Sequence, residues 1–284
     1  MISRLRTYAS FVRISHSVFA LPFALAGAVL AARHTPVTWA TIGWILVAMV
    51  GARSAAMGFN RLVDARSDAL NPRTARRELP TGAMTRNEAI VFVSVASLVF
   101  VAAASQLNAV CLVLSPVALA IVFWYSLAKR YTTWTQLYLG LAMAVAPVGG
   151  WLAVGGGPGW EPWLLALAIG TWVGGFDVLY ACQDLEFDRT HRLHSIPVRF
   201  GVRGSLAISR ALHVVTIACL LALALVTPLG PIYFAGVFIV AALLAYEQSL
   251  VSAEDLSQVK LAFDLNGYVG ILYLVVLIVS LYGR

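Results

Sequence analysis

Charged side chains are scarce in this sequence. Only 12% of its 284 residues are Asp, Glu, Lys or Arg, whereas 60% are apolar and the mean hydropathy is +0.83. Soluble globular domains are about 25% charged, so this composition argues against a soluble domain. The excess of Lys and Arg falls in connections between apolar runs, and no nucleic-acid-binding motif is present. We therefore expect a chain that lies in a lipid bilayer and does not bind nucleic acid.

Cysteine is also scarce. Cys111, Cys182 and Cys219 lie in apolar runs without paired spacing, which argues against a disulfide framework or a cysteine zinc site. The glycine-rich stretch 155–159 lacks the Gly-Lys-Ser or Gly-Lys-Thr ending of a P-loop and is interpreted as a turn. The first apolar run has no clear small-residue cleavage site, so we expect a retained span and not a removed signal peptide.

Long apolar runs, by contrast, are abundant, and about 20 apolar residues suffice to cross a bilayer as a helix. The runs lie near residues 11–32, 38–60, 88–105, 109–127, 136–154, 162–182, 205–226, 231–249 and 263–282. This pattern predicts an all-α, polytopic membrane protein with about nine transmembrane helices in a single domain, 1–284. Loops at about 61–87 and 184–204 are expected to cap it on the cytoplasmic side.

Lys and Arg set the expected orientation. They concentrate at the amino terminus and in every second connection, namely Arg4, Arg6, the arginines of 61–77, Lys129, Arg130, Arg189, Arg192, Arg199, Arg203 and Lys260. The other connections carry little positive charge, with Arg33 as the exception. The positive-inside rule then places the amino terminus and these loops in the cytoplasm and the carboxyl terminus outside. We expect a multi-pass protein of a bacterial inner or plasma membrane.

A first acidic motif follows the second apolar run. If that helix continues, Asn60, Asp64 and Asp68 lie at i, i+4 and i+8 on one face, about 6 Å apart along the axis. Five arginines surround them: Arg61, Arg66, Arg73, Arg76 and Arg77. Carboxylates bind divalent cations and arginines bind phosphates, so the combination suggests a metal-bridged phosphate ligand. A charged helix end that snorkels into the interface would also explain the motif.

A second acidic motif ends the sixth apolar run. Asp184 and Asp188 repeat the i, i+4 spacing, and Asp177 and Tyr180 precede them on nearly the same face. A carboxylate as deep in the membrane as Asp177 is costly without a function. The nearby His191 and His194 have no third histidine or cysteine, which argues against zinc.

Other polar residues allow two interpretations each. Tyr125 and Lys129, one turn apart, could both donate to a diphosphate, or could simply be interfacial. Arg13 and His16 could contact a polar substrate, or anchor and pack the first span. Thr85 and Glu88 have the spacing of a capping box that starts the third span. Four acidic residues in the last three spans are expected to be solvated or interfacial, namely Glu247, Glu254, Asp255 and Asp264.

Both acidic motifs end even-numbered spans, so both should meet the cytoplasm at similar depth. Carboxylates there would hold magnesium on a diphosphate. A secondary transporter of an anionic substrate is the alternative, but inverted repeats or interrupted helices would then be expected. An intramembrane aspartyl protease needs two carboxylates that share a proton, not five oxygen ligands among arginines.

At these residues the chain resembles the UbiA superfamily of intramembrane prenyltransferases over nearly its whole length. Asn60, Asp64 and Asp68 match the first family motif, Asn-Asp-x-x-Asp-x-x-x-Asp, with Arg61 where the family often has Asp. Asp184 and Asp188 match the second motif, Asp-x-x-x-Asp, with Asp177 and Tyr180 upstream; Tyr125, Lys129 and Arg130 match a Tyr-x-x-x-Lys-Arg element. The segments around the motifs look most like 4-hydroxybenzoate polyprenyltransferases, and among these like MqnP-type enzymes of menaquinone biosynthesis.

The resemblance implies a polyprenyl diphosphate donor, two Mg²⁺ ions, and an aromatic acid acceptor, either 1,4-dihydroxy-6-naphthoate or 4-hydroxybenzoate, in menaquinone or ubiquinone biosynthesis. The implied metal ligands are Asn60, Asp64, Asp68, Asp184 and Asp188; the implied diphosphate-binding residues are Arg61, Arg73, Arg77, Tyr125, Lys129 and Arg130. The candidate acceptor contacts are Arg13, His16, Asp177 and Tyr180, with Asp177 also a candidate base. The carboxylates and Lys129 would be catalytic because they stabilise the leaving diphosphate.

Overall fold

The computed structural model describes residues 7–8, 10–12 and 20–283, and all regular secondary structure in these residues is helical. We number the helices α1 (Leu21–Ala31), α2 (Trp39–Leu70), α3 (Arg86–Leu107), α4 (Ala109–Ala128), α5 (Thr135–Ala153), α6 (Glu161–Ala181), α7 (Leu185–Thr190), α8 (Ile196–Val226), α9 (Pro231–Ser249) and α10 (Val259–Tyr282). A 3₁₀ turn, Cys182–Asp184, separates α6 from α7.

Eight helical segments of the described chain are long and apolar enough to cross a membrane. They correspond to the second to ninth predicted spans. Of the first predicted span the structure describes the shorter helix α1, whereas residues 13–19 lie outside the described part. The prediction of an all-α, multi-span membrane protein is therefore confirmed, with a close match in the number of spans.

Large apolar side chains lie on the outside of these helices. Leu98 is 69%, Val214 69% and Phe238 75% exposed, although all three lie well inside long apolar helices. Exposure of so much apolar surface to water would be unfavourable in free energy, whereas contact with lipid tails would not. The exposed surface therefore fits a bilayer.

The chain forms two compact units, of which the first contains residues 1–21 and 38–127. Here α2 packs against α3 along a stripe of small residues on α2, Ala48, Gly51, Ala55 and Gly58. Further along α2 the buried residues are charged, namely Arg61, Asp64 and Asp68. Since α2 extends to Leu70, the first acidic motif is helical, and residues 61–70 of the expected loop at 61–87 belong to this helix. The capping box is also confirmed, because the side chain of Thr85 accepts from Glu88 N and that of Glu88 from Thr85 N.

The second unit contains residues 22–37 and 128–284, and α6 is its most buried long helix. α6 packs against α5, α8 and α10, while α9 packs against α8 and α10. Gly140 and Gly170 bring the backbones of α5 and α6 into direct contact. Buried polar contacts also join the helices: Trp172 Nε1 donates to Asn266 Oδ1 at 2.6 Å and Ser209 Oγ donates to Gly175 O at 2.8 Å. These contacts fix α6, which carries Asp177 and Tyr180.

Residues 184–204 are less loop-like than expected. They include α7 and the first turns of α8, which begins at Ile196 and bends at Gly201, where φ is +67°. Pro197 lies in the first turn of α8, where a proline is compatible with a helix because no N–H is needed there. Ser195 completes this start by accepting a hydrogen bond from Val198 N.

Candidate active site

The first acidic motif is buried although it is charged. Asp64 and Asp68 are 3% and 6% exposed on the inner face of α2. Asn60 Nδ2 donates to Asp64 Oδ2 at 3.2 Å, so the amide and the carboxylate meet across one helical turn. Burial of two carboxylates on one face requires cations or hydrogen-bond donors to balance them.

The loop after α2 supplies such a cation. Arg77 Nη1 donates to both oxygens of Asp68, at 2.8 and 2.9 Å. Thr74 Oγ1 holds the loop in place by donating to the carbonyl oxygen of Asp68 at 3.0 Å, and Arg73 N donates to Asn71 Oδ1 at 2.9 Å. Arg77 therefore lies against the acidic motif, whereas Arg73 is exposed.

Arg61 makes a different contact. Its Nη1 lies 2.8 Å from Glu78 Oε2, and the two side chains are only 5% and 11% exposed. The other oxygen of Glu78 accepts a hydrogen bond of 2.6 Å from Ser10 Oγ. The sequence alone does not single out Glu78, since it is one acidic residue in a basic loop.

Arg53 is a further charged residue that belongs to neither acidic motif. It lies in the apolar part of α2, seven residues before Asn60 and therefore on the same face, about 10 Å further along the axis. Its Nε is buried and makes no hydrogen bond within the described chain, and Tyr125 of α4 is near enough to interact with it electrostatically. An arginine inside an apolar run was a visible signal, because such residues are rare in membrane helices without a function.

The second acidic motif lies in the second unit and is not one continuous α-helix. The 3₁₀ turn at Cys182–Asp184 ends α6, and Asp184 has a non-helical ψ of 4° before α7 begins. Because a 3₁₀ turn winds more tightly than an α-helix, the face shared by Asp177, Asp184 and Asp188 is shifted from the expected one. All three carboxylates are partly buried.

Aromatic rings lie near Asp177, at the start of this motif. The ring centroids of Tyr180 and Phe263 are 4.5 Å apart, and Phe176 meets Phe263 edge-on at 5.5 Å. These rings flank Asp177 in sequence and form an apolar wall on α6 and α10. Such a wall suits an aromatic or prenyl group.

Two backbone contacts hold the loop between α7 and α8. His194 N donates to the carbonyl oxygen of Lys129 at 2.7 Å, and Ile196 N donates to Oε1 of the buried Gln136 at 3.2 Å. Lys129, which follows α4, is thus tied to the segment after the second motif, and its neighbour Arg130 is exposed. Gln136 could not be singled out in the sequence, since nothing distinguishes it from an ordinary interfacial glutamine.

The remaining predicted acceptor contacts, Arg13 and His16, lie outside the described residues. In the described part of the chain, no three His, Cys, Asp or Glu side chains are grouped closely enough to form a metal site by themselves. Magnesium does not need such a group, because it takes one or two carboxylates and completes its shell with water and phosphate oxygens. The hard oxygens of Asn60, Asp64 and Asp68 on one helical face fit that requirement.

Comparison with known proteins agrees with the sequence motifs. Residues 20–275 match the model of the UbiA prenyltransferase family. A 4-hydroxybenzoate octaprenyltransferase of Vibrio campbellii is 30% identical over 252 residues, which cover 89% of this chain and 88% of that protein. An enzyme of the same name from Klebsiella pneumoniae is 32% identical over 232 residues, 80% of each chain.

Solved structures give the same result. The apo structure of a UbiA homologue from Aeropyrum pernix K1 has a TM-score of 0.86 and 36% identity, and the match covers 94% of this chain and 98% of that one. A UbiA homologue from Archaeoglobus fulgidus, bound to GPP and Mg²⁺, shares the fold with a TM-score of 0.76 at 20% identity, over 96% and 99% of the two chains. The chain therefore belongs to the UbiA prenyltransferase family and is a prenyltransferase.

Proposed function

We propose that the protein transfers a polyprenyl group from a polyprenyl diphosphate to a ring carbon of an aromatic hydroxy acid, as a step of quinone biosynthesis. The observation that carries this proposal is the buried face of α2, where a loop brings Arg77 onto Asp68 beside Asp64. Carboxylates bind divalent cations and arginines bind phosphates, so a magnesium diphosphate is the ligand class that uses both. Membership of a prenyltransferase family decides against the transporter alternative.

Magnesium would be held by Asn60, Asp64 and Asp68, and by Asp184 and Asp188, with two ions per diphosphate. When bound, it withdraws negative charge from the leaving diphosphate. The UbiA homologue of Archaeoglobus fulgidus bound to GPP and Mg²⁺ supports this choice of metal and donor.

The basic residues would bind the diphosphate oxygens directly. This group comprises Arg73, Arg77, Lys129, Arg130 and the hydroxyl of Tyr125. Their charge compensates the charge that develops when the allylic C–O bond breaks, in a site with little water, and so lowers the barrier. Arg61 is not assigned this role, because its pair with Glu78 leaves the side chain only 5% exposed, whereas Arg77 keeps 20% of its side chain exposed beside Asp68.

The acceptor would be held by its carboxylate and its ring. Arg53 is the candidate for the carboxylate, since it is a cation inside an apolar helix with a buried Nε that makes no hydrogen bond within the described chain. Asp177 would orient the acceptor or take the ring proton after attack, and Tyr180 would line its binding site. Arg13 and His16 stay as sequence-based candidates for the same carboxylate.

Two acceptors have separate support. The curated relatives are named 4-hydroxybenzoate octaprenyltransferases, which favours 4-hydroxybenzoate. The likeness of the loops to menaquinone enzymes favours 1,4-dihydroxy-6-naphthoate. Both are hydroxylated aromatic carboxylates, so the carboxylate of either one could accept hydrogen bonds from the Arg53 guanidinium.

The test is diphosphate release by the purified protein with a polyprenyl diphosphate and each acceptor in turn, with and without magnesium. We expect magnesium-dependent release together with a prenylated product for one of the two acids. No release with either acid would refute the aromatic-acceptor proposal.

A pair of variants tests the second motif in the same assay. Asp184→Ala should abolish turnover while the thermal unfolding temperature stays close to that of the wild type. Glu186→Ala is the matched control, because this carboxylate lies in the next helix with its side chain 82% exposed and should be dispensable. Full activity of Asp184→Ala would remove Asp184 from the site.

A further inference from the structure

The ion pair between Arg61 and Glu78 is unusual for its place in the molecule. It joins helix α2 to the following loop at 2.8 Å, and little of either side chain is exposed. Both oxygens of Glu78 are engaged, one by Arg61 and the other by Ser10. Glu78 also holds the loop itself, since its carbonyl oxygen accepts a hydrogen bond from Met84 N at 3.1 Å.

Arg61 lies in the middle of the first acidic motif. It follows Asn60 directly and precedes Asp64 by three residues, a spacing at which side chains on a helix are neighbours. A guanidinium with no counter-charge at this position would attract the carboxylates that a metal ion needs and would repel the metal ion itself. Because the surroundings are buried, water and salt would screen this effect only weakly.

The loop after α2 contributes two consecutive residues of opposite charge. Arg77 faces Asp68 and Glu78 faces Arg61, so the loop places one cation and one anion against positions about two turns apart on α2. The first contact supplies positive charge to a carboxylate of the motif. The second cancels a positive charge within the motif.

We propose that Glu78 is a positioning residue that neutralises Arg61 and thereby preserves the affinity of the first acidic motif for magnesium. This inference rests on the proposed function of that motif in binding magnesium diphosphate. In this proposal Glu78 acts through Arg61 and is not itself a ligand of the metal or the substrate.

The test compares four proteins: wild type, Glu78→Gln, the double variant Arg61→Gln/Glu78→Gln, and Ser10→Ala. Gln keeps the shape of Glu78 and removes only its charge. The double variant removes both charges, and Ser10→Ala removes one hydrogen bond to Glu78 without a change of charge. Metal binding is measured directly as Mn²⁺ binding by electron paramagnetic resonance in the presence of inorganic pyrophosphate, and the Mg²⁺ dependence of turnover is measured in parallel.

We expect Glu78→Gln to raise the metal concentration for half-saturation on the order of tenfold, with high Mg²⁺ restoring turnover. The double variant should return to within about threefold of the wild type, because no unbalanced charge remains. Ser10→Ala should match the wild type. A purely structural role for Glu78 would lower the unfolding temperature without moving the metal affinity.

Two results would overturn the inference: wild-type metal affinity in a folded Glu78→Gln protein, or a double variant that keeps a tenfold defect. The second result would instead assign Arg61 to the diphosphate. Should Glu78→Gln fail to fold, the double variant alone decides, since it leaves neither charge unpaired. If the wild type itself takes up no Mn²⁺ with pyrophosphate, the proposed function fails first.

Discussion

Arg53 offers the sharpest test of how the acceptor is recognised. It lies about 10 Å from Asn60 along α2, far enough to contact an acceptor while the acidic motif binds a diphosphate. Substitution by Gln removes its charge and keeps much of its length. We expect Arg53→Gln to weaken binding of the carboxylate acceptor and to leave donor binding unchanged.

The magnitude follows from the kind of bond that would be lost. Hydrogen bonds to charged groups contribute about 1.5–3 kcal/mol each. Since 1.4 kcal/mol corresponds to a factor of ten, the KM for the acceptor should rise roughly ten- to hundredfold. The effect should lie towards the upper end, because the Arg53 Nε is buried and water cannot replace the missing donor.

The assay uses the acceptor as its own control. Wild-type protein and Arg53→Gln are each given 4-hydroxybenzoate and phenol, which lacks the carboxylate, and KM and kcat are measured for both. The preference for the acid should disappear in the variant, while rates with phenol stay similar. Arg66→Gln removes an equal charge from an exposed position on the same helix and should change nothing. If Arg53→Gln keeps the full preference for the acid, Arg53 does not bind the carboxylate.

Two further predictions concern the second unit. Gly140→Ala would place a methyl group onto the carbonyl oxygen of Gly170 and should lower the free energy of unfolding by about 1–3 kcal/mol or more. Its control is Gly149→Ala on the same helix, where the added methyl group meets nothing within 4 Å, so the unfolding temperature should stay the same or rise. Gln136→Leu would leave Ile196 N buried without an acceptor, so unfolding should become easier by about 1–3 kcal/mol. Unchanged unfolding temperatures of Gly140→Ala and Gln136→Leu would contradict the respective contacts.

Much of the fold was predictable from the sequence because lipid imposes a simple rule. Each crossing needs a long apolar helix, and eight such segments appear at the expected places in the chain, although α2 ends at Leu70 instead of residue 60 and α8 begins at Ile196 instead of residue 205. Local chemistry was equally clear at the capping box of Thr85 and Glu88. The i, i+4, i+8 interpretation of the first acidic motif depended on a helix that continues past the expected end of the span at residue 60, and α2 does continue to Leu70.

Contacts between distant residues were not predictable in the same way. The spacing of the second motif presumed a continuous helix, and only the backbone reveals the 3₁₀ turn before Asp184. Glu247 was expected to be solvated or interfacial, yet it is 1% exposed, because its burial depends on how α9 packs against α8 and α10. Trp172 and Asn266 lie 94 residues apart, and their hydrogen bond has no signature in either segment.

Arg61 shows why a matched motif alone does not define a site. By comparison with the family motif, an arginine in place of the usual acid is either a lost metal ligand or a gained phosphate ligand. The first change would weaken metal binding, whereas the second would strengthen diphosphate binding. The structure introduces a third possibility through Glu78, which lies 17 residues away and cancels the charge at 2.8 Å. Removal of one partner from a buried charge pair leaves the other charge uncompensated, so the loss of one partner has a larger effect than the loss of both. The effect of Arg61 on the metal is therefore a property of the pair, and it can be measured only when both partners are changed together.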